Sequence, residues 1–92
     1  MADRPAARYH HISSAVVSVF PRCRDAVVRQ IAALPETEVH RVEGGKIVIV
    51  LEGANTGEIG SRLAAIALMD GVLSANLVFE QIEILEDVGV KP

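Results

Sequence analysis

Four groups of residues in this chain are of types from which chemistry is built: His10-His11, Cys23 between Arg22 and Arg24, the serines Ser13, Ser14 and Ser18, and the glycines Gly53, Gly57 and Gly60. A histidine pair invites a metal. Adjacent residues on an extended chain point to opposite faces, so His10 and His11 cannot chelate side by side in a strand. No Asp or Glu has ligand spacing with either, and His40 joins them only if the fold delivers it. Cys23 has two arginines beside it and lies where a helix begins, both of which favour a thiolate. A nucleophile also needs a positioned base, and the sequence offers none. The serines lack a Gly-x-Ser-x-Gly elbow. Gly53-Ala-Asn-Thr-Gly-Glu-Ile-Gly60 is neither Gly-x-Gly-x-x-Gly nor a loop ending in Gly-Lys-Ser/Thr. Glu58 stands where a helix N-terminus would otherwise welcome a phosphate, so turn and capping duty explains these glycines better. Neither a metal centre nor a catalytic centre is expected, and no cofactor.

Composition narrows the classes further. The 92 residues suit one domain, which buries about 60% of its unfolded-chain surface. Half the residues are apolar and 23% are charged, which argues against disorder. A net charge of −3 and three aromatic residues in all (Tyr9, Phe20 and Phe79) disfavour nucleic acid, which needs basic patches and stacking platforms. One cysteine permits no intrachain disulfide and fits a reducing compartment. No apolar run approaches the ~20 residues of a membrane helix, and no signal-peptide core follows the first residues. The expectation is a soluble cytoplasmic chain without membrane insertion.

The elements that position these residues are legible from periodicity. Ile12 to Val19 is β-branched and leaves through Phe20-Pro21, a strand and its exit. Val27, Val28, Ile31 and Leu34 fall at helical spacing over Arg24 to Leu34, and Pro35 stops the pattern. Glu38–Glu43 and Lys46–Glu52 flank Gly44-Gly45, a two-residue hairpin turn. Asn55 with Glu58 resembles a capping box opening a helix with Ile59, Leu63, Ile66 and Ala67 on one stripe. Asp70-Gly71 ends it, and Val72 to Ile82 is the last strand. The order βαββαβ predicts an α+β, ferredoxin-like domain over residues 10–83. Right-handed crossovers put both helices on one face of a four-stranded antiparallel sheet of order 4-1-3-2. Residues 1–9 are expected to be a flexible arm and 84–92 an acidic tail.

That topology leaves one sheet face bare, and alternation says what lies on it. The sets assigned to the helices are Ala15, Val17 and Val19; Ile47, Ile49 and Leu51; and Leu73, Ala75, Leu77 and Phe79. With a two-residue turn, Val42 pairs with Ile47 and His40 with Ile49, sending Val39 and Arg41 to the open face; a three-residue loop would reverse that strand. The open face then has Val16, Val48, Val50 and Val78 at its centre, bordered by Ser14, Ser18, Arg41, Glu52, Ser74 and Asn76. An aliphatic centre with a polar border suits an interaction surface, whereas strand propensity alone also places valine on exposed faces. A weak homodimer through the same patch is a third alternative.

Four segments together resemble the NapD family: His11–Val19, Leu34-Pro35 with Glu38-Val39, Gly45–Glu52, and Gly71–Gln81, the last with its Gly-Val-Leu and Leu-Val-Phe. The similarity spans about residues 10–83. These are small assembly chaperones of periplasmic nitrate reductase, and the resemblance implies a ferredoxin-like fold, a cytoplasmic location and no enzymatic activity. It implies as partner the twin-arginine signal peptide of the reductase catalytic subunit (NapA), bound to delay export while the molybdenum cofactor and iron–sulfur cluster are installed. The residues agree in kind. The valine patch suits the apolar stretch of such a peptide, while Glu52 and Glu80 at its border, with Glu83, Glu86 and Asp87 beyond, suit its arginines. The expected peptide-binding residues are therefore Ser14, Val16, Ser18, Arg41, Val48, Val50, Glu52, Ser74, Asn76, Val78 and Glu80. Two alternatives share the fold class. An acylphosphatase-like hydrolase would use Arg22 or Arg24 after the first strand but lacks the glycine-rich cradle, and a small-ligand regulatory domain is normally fused to an enzyme.

Overall fold

A computed structural model describes residues 9–84, with side chains for 10–83. The expected arm and tail lie outside the described residues, except that Tyr9 and Ile84 belong to strands. The order is β1 (Tyr9–Val19), a 3-10 turn (Pro21–Cys23), α1 (Arg24–Ala32), β2 (Thr37–Glu43), β3 (Lys46–Gly53), α2 (Thr56–Ala67) and β4 (Val72–Ile84). Every strand pairing is antiparallel, and the sheet order β2-β3-β1-β4 is the one the βαββαβ pattern predicts.

The core explains why the helices share a face. Ala15, Val17 and Val19 of β1 and Ile47, Ile49 and Leu51 of β3 are buried with Val27 and Ile31 of α1 and Ile59 and Ile66 of α2. In the β1–β3 register Ala15 faces Ile49 and Val17 faces Ile47, so all six strand residues lie on one side of the sheet. Each large aliphatic side chain so buried contributes about 1.5–3 kcal/mol. Asn55 caps α2 by accepting from the Glu58 amide at 2.9 Å, and the Glu58 carboxylate accepts from the Ala54 amide at 3.0 Å. Asn55 is thus the N-cap read from the sequence, with Asn in place of Ser or Thr, while Glu58 reaches one residue further back than a capping box requires, to Ala54 instead of the N-cap amide.

Three register shifts decide which way side chains face. On β1–β4, Ala15 pairs with Leu77 but Ser14 with Phe79, leaving Val78 as an extra residue. At the other end Ser18 pairs with Ser74 but Val19 with Val72, leaving Leu73 extra. On the hairpin, the two-residue turn holds and Val42 pairs with Ile47, yet Val39, not His40, pairs with Ile49. A bulge adds one residue to one strand and so inverts the side-chain parity beyond it. Five residues change place for this reason. Val39 and Val72 join the core side, where both pack against the buried cluster. Phe79 crosses to the open face and Glu80 to the helix side, and Leu73 drops out of the core set with 58% exposure.

Two close approaches fix the ends of the sheet. Gly71 has φ +94, its carbonyl accepts from the Phe20 amide at 3.0 Å, and an added Cβ would sit 2.5 Å from Cys23 Cβ. At the other end Arg62 of α2 donates to the Glu52 carbonyl at 2.7 Å and the Glu36 carbonyl at 3.4 Å, clamping the start of β2 to the end of β3. Gly71→Ala should destabilise the domain by about 1–3 kcal/mol in urea unfolding, because it adds both backbone strain and a steric overlap. Ser13 is fully buried and its hydroxyl has no hydrogen-bond partner among the described residues. Ser13→Ala should accordingly raise stability by about 1 kcal/mol in the same assay, since it removes an uncompensated polar group.

Candidate interaction surface

His10, His11, Cys23, Arg22, Arg24 and Glu58 all make contacts within the fold. His10 and His11 point to opposite faces, His10 Nε2 bonding Glu52 Oε1 at 2.9 Å and His11 Nδ1 lying 3.7 Å from Glu80. Among the described residues no group of three or more His, Cys, Asp or Glu could hold a metal ion. The Cys23 side chain packs against the core and onto Gly71. Arg22 stacks on the Phe20 ring at 4.9 Å, and Arg24 contacts Asp25 and the Gly44 carbonyl, each at 3.3 Å, so neither frames an anion cradle. At the start of α2 the Glu58 carboxylate, held by the Ala54 amide at 3.0 Å, puts a negative charge that would repel a phosphate.

What the chain does present is the open sheet face, which the pairing registers lay out in rows. Nearest the hairpin stand Glu43, Lys46, Ser18 and Ser74; next come Arg41, Val48, Val16 and Asn76. The third row is Glu38, Val50, Ser14 and Phe79, the fourth Glu52, Ile12 and Gln81, and the last His10 and Glu83. Val16, Val48, Val50, Ile12 and Ser14 are half-buried by their cross-strand neighbours, while Phe79 is 59% exposed. The face therefore combines an aliphatic centre, one large exposed ring and a charged perimeter, the make-up of a contact surface with a polar rim.

Nine of the eleven residues expected on this surface lie on it: Ser14, Val16, Ser18, Arg41, Val48, Val50, Glu52, Ser74 and Asn76. Val78 is the extra residue of the β4 bulge rather than part of a row, and it is 59% exposed. Glu80 pairs with Ser13 on the helix side of the sheet, beside His11, and so leaves the border of the patch. Alternation assigns Phe79 to the helix side, and His10 is not among the residues expected on this surface. The adjacent apolar pair Val78-Phe79 breaks strict alternation and is the one local signal that a bulge could have been placed there. Nothing local signals that His10 will meet Glu52, which is 42 residues away.

Comparison with known proteins bears on the family and the fold. The family model described as NapD protein matches residues 10–84. The chain is 57% identical to Chaperone NapD of Paracoccus pantotrophus over 76 residues, covering 83% of this chain and 68% of that one. The solution structure of the E. coli Tat proofreading chaperone protein NapD superposes with a TM-score of 0.73, covering 90% of this chain and 87% of that one. Its sequence identity is 22%, so this second likeness speaks for the fold, the same antiparallel sheet with two helices. With its family model spanning the whole βαββαβ domain and a relative well over half identical, the chain belongs to the NapD family.

Proposed function

We propose that this chain is a signal-peptide chaperone of the cytoplasm: it binds the twin-arginine signal peptide of the periplasmic nitrate reductase catalytic subunit and delays export until that subunit has its cofactors. The observation that carries this reading is the aliphatic sheet face that neither helix covers, in a chain of the NapD family. The relatives' names, a chaperone and a Tat proofreading chaperone, support it. Among the described residues no helix is long and apolar enough to cross a membrane.

A peptide laid on this face meets side chains, not the unpaired backbone groups of a sheet edge. It must satisfy its own backbone, so it binds as a helix with its apolar side against Val16, Val48, Val50 and Phe79. Chaperoning needs nothing more than this: occupancy of the signal peptide withholds it from the export machinery for as long as the complex lives. The acylphosphatase-like alternative loses ground, because Arg22 and Arg24 are engaged with Phe20, Asp25 and Gly44.

Calorimetric titration with the synthetic signal peptide tests the proposal. Val48→Asp should weaken binding by about tenfold or more, equivalent to about 1.4 kcal/mol, because it places an unpaired charge under an apolar contact. Its cooperative unfolding should persist, since Val48 lies on the face away from the core. Unchanged affinity of the Val48→Asp variant, or no binding to the unsubstituted chain, would count against the open face as the site.

A further inference from the structure

We propose that the open face is electrically polarised along its strands and accepts a cationic–apolar peptide in one direction only, arginines at the end that carries His10, Glu52 and Glu83 and apolar stretch running towards the β2–β3 hairpin. This rests on the reading that the open face is the peptide site, and adds to it which way the peptide lies. The two rows nearest the hairpin hold two cations, Arg41 and Lys46, against one carboxylate, Glu43. The three far rows hold three carboxylates, Glu38, Glu52 and Glu83, and no lysine or arginine. Eight residue steps along β1 lead from His10 to Ser18, about 26 Å at the usual rise of a strand. That exceeds a Debye length of about 8 Å at physiological ionic strength, so each end acts on its own part of the peptide.

Orientation follows from attraction at one end and repulsion at the other. A peptide reversed on the face would bring its arginines against Arg41 and Lys46 and leave the far carboxylates unmatched. Glu52 is the best-placed acceptor at the acidic end. Its side chain is 42% exposed, and the 2.9 Å bond from His10 already fixes its carboxylate, so less side-chain freedom is lost on binding. Between the ends, Ile12, Val50, Val16, Val48 and Phe79, with Ser14 among them, form the mainly apolar track on which the rest of the peptide lies.

The test uses the full chain and a synthetic peptide of two adjacent arginines followed by about twelve alanine and leucine residues, about 18 Å as a helix. Calorimetry on the chain gives the affinity. A nitroxide at the peptide's C-terminal end then reports by line broadening which amides it approaches. Broadening is expected around Gly44 to Lys46 and absent around His10 and Gln81. Glu52→Gln should weaken binding roughly three- to tenfold, and that loss should fall to about twofold or less with a peptide whose arginines are replaced by glutamine. Glu43→Gln should change affinity by no more than about twofold with either peptide. Glu83→Gln serves as a second variant at the acidic end, and an unchanged unfolding midpoint certifies each variant as folded. Absence of binding to the unsubstituted chain would overturn the peptide-site reading itself. Binding with broadening at the His10 end, with broadening at both ends alike, or with coupling to Glu43 in place of Glu52 would overturn the orientation alone.

Discussion

The packing of two helices on one face of a four-stranded sheet is the constraint on which the rest of this protein depends. Side chains of a strand alternate strictly, so a sheet buries only half of them when it is covered on one side. Ala15, Val17, Ile47, Ile49 and Leu51 take the covered half and are fully buried. Their neighbours in sequence, Val16, Val48 and Val50, are forced onto the other half, and no element among the described residues packs over them. The fold itself therefore generates an aliphatic surface, and the sequence leaves that surface apolar at its centre instead of filling it with charge.

Bulges then tune what the alternation provides. A β4 strand of perfect pairing would place Phe79 under the helices and Glu80 on the open face. The extra residue Val78 exchanges them, giving the surface a large ring and turning a carboxylate towards His11. The same device at His40 returns Val39 to the core. These are small local irregularities with a consequence for every side chain beyond them, because parity in a strand has only two values.

The covered and open faces meet at the end of β3. Arg62 reaches from α2 to the backbone carbonyls of Glu52 and Glu36, and the Glu52 amide donates to Glu36 at 2.9 Å. Glu36 holds φ +52, a conformation rare for a residue with a side chain, at the point where its carbonyl serves both donors. The helix that builds the core thus also braces the backbone of Glu52, whose carboxylate His10 holds on the other side of the sheet. A braced carboxylate stands beside the aliphatic track of the open face.

Much was determined by the sequence alone. Periodicity, the Gly44-Gly45 turn, the Asn55 and Glu58 cap and the stops at Pro35 and Gly71 are local signals, and they were enough for the order of elements, the strand order and most of the open face. Val16, Val48 and Val50 were legible because β1 and β3 pair without a bulge, so counting by twos holds along their whole length. The faces of Val39, Phe79 and Glu80, the meeting of His10 with Glu52, and the charge gradient along the sheet were decided only by the tertiary structure. A bulge is set by how neighbouring strands fit one another, and a cross-strand pair by register, so neither is a property of any one segment of the chain.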